Sequence, residues 1–116
     1  MAQVSRKLRS VGDAKGVHVG YSHWCPGCEH MHVIYTSNYR VMWKFNGDVE
    51  RPTFEPSVNH TWGKYADPSF VDEYPGESGR CHYFIRAGVI EFCGDCTHRF
   101  SGQTVALPDL PAVHRD

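Results

Sequence analysis

The chain has 116 residues, enough for one modest hydrophobic core and too few for a second domain. Twelve Lys plus Arg stand against thirteen Asp plus Glu, a formal net charge of −1, so no strong field draws the chain to nucleic acid or to an anionic membrane. No run of about 18 apolar residues is present, and the basic start with Arg6, Lys7 and Arg9 lacks the apolar stretch of a secretory signal, so the expected location is cytoplasmic.

Residues 1–16 carry Gly12 and Gly16 without periodicity, and residues 109–116 read the same way, so both flanks are expected to be peripheral to a single domain. Between them, short β-branched and aromatic runs are bounded by Gly, Pro, Asn and Asp. This predicts strands at Gly16 to Ser22, Met31 to Thr36, Val41 to Phe45, Ser57 to Thr61, Cys81 to Arg86, Val89 to Cys93 and Thr104 to Leu107. The fold class is therefore mainly β, a compact antiparallel sheet, with a small α+β arrangement as the alternative. Asn46-Gly47-Asp48 signals a turn, and Gly63 to Gly79, with two prolines and several acids, reads as a long irregular loop.

Five cysteines is an odd number, and in a reducing compartment ligation is favoured over a disulfide framework; eight histidines add to the donor supply. Trp24-Cys25-Pro26-Gly27-Cys28 forms a knuckle in which Pro and Gly shape a tight turn, letting both thiolates converge on one ion. A closed zinc site needs four ligands. Cys81 is the first choice for the third, and His32 or Cys96 for the fourth, with His82 and His98 as outside candidates. A thiolate-rich site favours structural over catalytic zinc; a catalytic zinc would need an open position and a base, for which Glu29 and Asp95 are the candidates. A redox pair at Cys25 and Cys28 is disfavoured, because the segment after Cys28 reads as a strand and not as the helix such a motif opens.

The stretch from Cys81 to Cys93 reads as a hairpin turning at Ala87-Gly88. If Arg86 pairs with Val89, Cys81 lies diagonal to Cys96 on one face, while His82 lies opposite Cys93 and diagonal to Asp95 on the other. One hairpin can thus serve two sites.

The ordered motifs resemble a known group. They are Trp24-Cys25-Pro26-Gly27-Cys28, Trp43 with Phe45-Asn46-Gly47-Asp48, Arg51-Pro52-Thr53-Phe54-Glu55-Pro56-Ser57, Asp95-Cys96-Thr97-His98 and Gly102-Gln103-Thr104-Val105. Together, over roughly residues 18–109, they resemble a small Cys/His-rich family carried by phages, prophages and bacterial defence islands. Its members are often labelled ammonia monooxygenase, a membrane-embedded copper enzyme that a chain without a spanning segment does not match. Some members sit beside ubiquitin-like conjugation genes, which implies a peptidase that trims or removes a ubiquitin-like protein.

Peptide hydrolysis needs an activated hydroxyl, an imidazole base and an orienting carboxylate. Ser57, held after Pro56, His82 and Asp95 supply these types, with His98 as the rival base. Against this stand plainer roles: a turn or capping Ser57, and His82 and His98 as hydrogen-bonding partners beside the metal. Gln103 and Thr104 either pin the last strand or donate to an oxyanion. The leading expectation is a zinc-stabilised serine-type peptidase with a protein substrate. The alternatives are a non-catalytic zinc-binding interaction module and a zinc-dependent hydrolase.

Overall fold

The computed structural model describes residues 3–62 and 79–114. The chain is nearly all β, and its strands form two antiparallel sheets. The first has three strands in the order β1 (Arg9–Gly12), β2 (His18–Cys25), β3 (His30–Tyr35). The second has five in sequential order: β4 (Lys44–Phe45), β5 (Phe54–Trp62), β6 (Gly79–Arg86), β7 (Val89–Phe92) and β8 (Thr104–Ala106). A 3-10 turn at Ala112–His114 follows. The loop expected over Gly63 to Gly79 lies outside the described residues except for Gly79 itself.

The core shows why one sheet becomes two. Along β6, Gly79, Cys81, Tyr83 and Ile85 are buried while Arg80, His82 and Phe84 between them are half-buried, the period-two alternation of a sheet with one packed face. The packed face meets Cys25 and Ile34 from the first sheet and Phe54, Val58, Ile90 and Phe92 from its own. Each of the aliphatic and phenyl side chains among these, fully buried, contributes about 1.5–3 kcal/mol of transfer free energy. A polar bridge also crosses here: the buried Tyr83 hydroxyl bonds His23 Nε2 of β2 at 2.7 Å and His60 Nε2 of β5 at 3.1 Å.

β1 is not among the expected strands. It forms because Leu8 is fully buried and the flanks of the chain clasp each other. Leu110 N–H donates to the Arg6 carbonyl at 2.7 Å, and Lys7 Nζ reaches both the Leu107 carbonyl at 2.7 Å and Asp109 Oδ1 at 2.8 Å.

The β6–β7 hairpin pairs Arg86 with Val89 and turns through Ala87 (φ 48°) and Gly88 (φ 80°), the two positive-φ residues of a type I′ turn. Asn46 and Asp48 cap the loop ahead of β5: Asn46 Oδ1 accepts from Asp48 N–H and Thr53 N–H, and Asp48 Oδ1 from Glu50 N–H and Arg51 N–H. β5 then enters the sheet with a bulge. Phe54 pairs with Ile85 and Val58 with Tyr83, so four steps along β5 match two along β6, and Ser57 lies within the irregular stretch.

Candidate active site and metal cluster

The two faces of β6 carry two different kinds of chemistry, because Cys81 and His82 are neighbours on a strand and point opposite ways. On the outer face, His82 Nε2 lies 3.0 Å from Ser57 Oγ, and His82 Nδ1 lies 3.2 Å from both Asp95 oxygens. With the ring proton on Nδ1, the imidazole donates to the carboxylate and accepts from the serine hydroxyl. That is the geometry of a nucleophile, base and orienter.

Each member is held from behind. The β5 bulge presents Ser57, whose carbonyl accepts from the Trp43 indole Nε1–H at 3.1 Å. His82 is fixed through its backbone: Cys93 N–H donates to its carbonyl at 2.9 Å, and Cys96 Sγ lies 3.3 Å from its nitrogen and 3.1 Å from its oxygen. Asp95 sits in a loop tied back onto β6, where Arg80 N–H donates to Thr97 Oγ1 and Thr97 N–H donates to the Arg80 carbonyl, both at 2.9 Å. Arg80 Nη1 also reaches Asp95 Oδ2 at 3.3 Å. Desolvation works against the Asp95 charge. The hydrogen bond and charge of His82, with Arg80, outweigh it and hold the carboxyl below its ordinary value.

On the inner face, Cys25, Cys28, Cys81 and His98 offer ligand atoms that all lie within 4.8 Å of one another. Cys25 Sγ and Cys81 Sγ are 3.7 Å apart, and Cys81 Sγ and His98 Nε2 are 3.3 Å apart. Tetrahedral zinc with ordinary bond lengths sets those edges at about 3.8 Å for two sulfurs and about 3.5 Å for sulfur and nitrogen. The donor set therefore fits zinc in type, number and spacing. The fourth donor in this group is His98, not His32 or Cys96. Gly27 makes room for it: a Cβ there would stand 2.4–2.5 Å from three atoms of the His98 ring.

Electrostatics points the same way. Hydrogen bonds from Cys28 and Cys81 push the Cys25 thiol far down into its thiolate form, while the same bonds push Cys28 up to about 12 and Cys81 higher still. One thiolate is stabilised at its neighbours' expense, a competition that a bound dication removes. Burial lowers His98 despite the nearby Cys25, favouring the neutral imidazole that a metal ligand must be.

The remaining candidates take other places. His32 is buried at 5 % exposure, its ring stacked on His60 at 3.9 Å between centroids, and its Nε2 has no hydrogen-bond partner among the described residues. It shares a looser three-donor group with Cys28 and His30. Glu29 is exposed in the knuckle at φ 57°, its N–H donating to the Cys25 carbonyl at 2.8 Å. Gln103 Nε2 closes a turn onto the Arg99 carbonyl at 3.1 Å. A cleft of about 1080 Å³ runs over His30, His32, His60 and Trp62; none of the half-buried Ser57 and His82 or the exposed Asp95 lines it. Sequence reasoning missed the support from Trp43 and the Arg80–Asp95 pair; the bulge and the return of the loop at residue 97 create both.

A family model described as bacterial ubiquitination-like system serine protease (BubE) matches residues 3–93. The chain belongs to that family. The match includes Ser57, His82 and three cluster cysteines, Cys25, Cys28 and Cys81, while Asp95 and His98 follow its last residue. Placement in BubE links the chain to a ubiquitination-like system, in keeping with the resemblance drawn from its motifs. No curated protein and no solved structure matches the chain. Among the described residues no helix is long and apolar enough to cross a membrane.

Proposed function

We propose that this chain is a serine peptidase that processes or deconjugates a ubiquitin-like protein, with Ser57 as nucleophile, His82 as general base and acid, and Asp95 as orienter. The observation that carries the reading is the unbroken line of hydrogen bonds from Ser57 Oγ through both His82 nitrogens to Asp95. The BubE description of the family as serine proteases supports the reaction class.

In the first half of the reaction, Ser57 Oγ attacks the scissile carbonyl carbon as its proton passes to His82 Nε2. The imidazolium so formed is stabilised by Asp95, which stays ionised. His82 then returns the proton to the leaving amine, the carbon–nitrogen bond breaks, and an ester to Ser57 remains. In the second half, His82 Nε2 takes a proton from water, the resulting hydroxide attacks the ester, and the proton goes back to Ser57 as the acid product leaves.

Zinc is proposed at Cys25, Cys28, Cys81 and His98, where four protein donors complete a structural site. When bound there it supplies a cross-link between the β2–β3 knuckle, β6 and the loop after β7. These residues hold the inner face of β6 in place, and so fix where His82 projects from the outer face.

Cleavage by wild type and Ser57→Ala is to be compared on ubiquitin-like precursors and conjugates, with zinc content and folding checked in both. The reading expects cleavage by the wild type and its loss in Ser57→Ala at unchanged zinc and fold. Normal cleavage by Ser57→Ala moves the chemistry to the metal, and no cleavage by either protein favours a binding module.

A further inference from the structure

The outer face of the hairpin holds one more donor than the triad needs. β7 ends at Phe92, and the next residue, Cys93, lies beside His82, its N–H donating to the His82 carbonyl at 2.9 Å. Its thiol is in no disulfide and is half-buried. Cys93, His82 and Asp95 together offer three ligand atoms within 4.8 Å of one another. The nitrogen and oxygens of His82 and Asp95 are already 3.2 Å apart, close to the roughly 3.4 Å edge that tetrahedral zinc sets between a nitrogen and an oxygen ligand.

We infer that His82, Cys93 and Asp95 form a second, inhibitory site for a soft divalent cation such as zinc, which switches the peptidase off by taking its base. This inference rests on the triad reading above. It is separate from the inner cluster, since no donor is shared between the two groups and they lie on opposite faces of β6.

The chemistry follows from the two nitrogens of imidazole. A neutral ring has one lone pair and one N–H, and the triad needs the lone pair on Nε2 and the proton on Nδ1. A cation that binds Nδ1 in place of the Asp95 hydrogen bond leaves the neutral ring with its proton on Nε2, facing Ser57. A cation that binds Nε2 occupies the lone pair itself. Either way the ring cannot accept the Ser57 proton. The Cys93 thiol loses its proton to solvent on coordination, and no bond to carbon changes.

The site is built to be weaker than the inner cluster. It has three protein donors instead of four, one thiolate instead of three, and open access to water through the exposed Asp95. Burial and the nearby Asp95 charge also favour the protonated Cys93 thiol, which a metal must displace. Such a site fills and empties with the free metal concentration, while the inner cluster keeps its ion.

The test titrates zinc into the protein as purified, with its resident metal counted, and follows both heat of binding and peptidase activity. Wild type, Cys93→Ala, Cys93→Ser and Ser57→Ala are compared. The expected result is uptake of one further zinc by wild type, with activity falling in step with occupancy and returning on mild chelation. Cys93→Ala is expected to keep full activity and the resident metal but to lose the additional binding and the inhibition, and Cys93→Ser to show both only at higher zinc. Ser57→Ala, which is inactive if the triad reading holds, is expected to bind the additional zinc as wild type does. Equal zinc inhibition of Cys93→Ala and wild type overturns the inference, as does the absence of further binding by wild type. If Ser57→Ala cleaves normally the triad reading fails instead, and the heat of binding still reports whether Cys93 holds the metal.

Discussion

At the scale of single residues, the distances in the triad set what each substitution does. With Ser57 as the proposed nucleophile, Ser57→Ala removes the oxygen that would attack the scissile carbonyl, so cleavage is expected to fall by roughly three orders of magnitude or more. Asp95→Asn tests the orienter separately. An amide in place of the carboxylate no longer stabilises the imidazolium and can turn an N–H toward Nδ1, favouring the tautomer with its proton on Nε2. Cleavage is expected to drop at least about a hundredfold with KM little changed, since Asp95 acts through His82. Steady-state kinetics on purified Asp95→Asn of wild-type zinc content checks this, and a change in KM alone would count against the orienting role. The residues behind the triad were harder to read in the sequence than the triad itself. Trp43 looks like core filling, and nothing short of the folded β5 bulge brings its indole to the Ser57 carbonyl.

At the scale of elements, β6 is the piece on which both sites depend, and it was the most legible. Alternation from Cys81 to Arg86 and a Gly-containing turn are enough to fix the register, and a fixed register decides which side chains share a face. The hidden parts depend on distant closure. β1 needs the two flanks of the chain to meet, the bulge needs two further residues absorbed between Phe54 and Val58, and His98 reaches the cysteines only after the loop from residue 93 folds back. The Tyr83 bridge makes a prediction at this scale. Tyr83→Phe leaves His23 Nε2 and His60 Nε2 buried without their shared partner, and is expected to cost about 1–3 kcal/mol in denaturant unfolding. The same histidines set an acid response. Burial, with the nearby His32, holds His23 at about 4 and His60 at about 3, against an ordinary value of 6.5. Below pH 6.5 the unfolded chain takes up protons that the folded one refuses, so stability falls as pH drops from 6.5 toward about 3. Unfolding measured across that window at constant zinc occupancy is expected to show a shallower slope in His60→Gln. An unchanged slope would remove His60 from the account.

At the scale of the whole molecule, the cysteine and histidine cluster brings together two sheets that also meet through one modest core and the Tyr83 bridge. Its donors come from the β2–β3 knuckle, from β6 and from the loop after β7, so an ion bound as proposed would hold together parts of the chain that are far apart in sequence. Native domains hold together by only about 5–15 kcal/mol, and a structural zinc contributes binding free energy of about the same size, so losing this cross-link is expected to unfold the chain, not merely to inactivate it. Chelation of the inner metal, or Cys25→Ser, is therefore expected to abolish cooperative melting together with activity, as read by circular dichroism. Loss of activity with an intact melt would instead indicate a catalytic metal. That the fold class could be read from the sequence while the approach of His98 to the three cysteines could not has a physical reason. Tight local turns are encoded in a few adjacent residues, whereas closing a tetrahedron across two sheets depends on every loop between them.

The central claim is that His82 and Asp95 make Ser57 a nucleophile, and covalent trapping tests it most directly. A fluorophosphonate that reacts only with activated serines is to be incubated with wild type, Ser57→Ala and His82→Ala, and the adduct located by peptide mass spectrometry. The account predicts a single adduct on Ser57 in wild type and none in either variant at matched zinc content and fold. Cleavage of substrate by a wild-type protein that takes no adduct at Ser57, or takes it at another residue, would contradict the account.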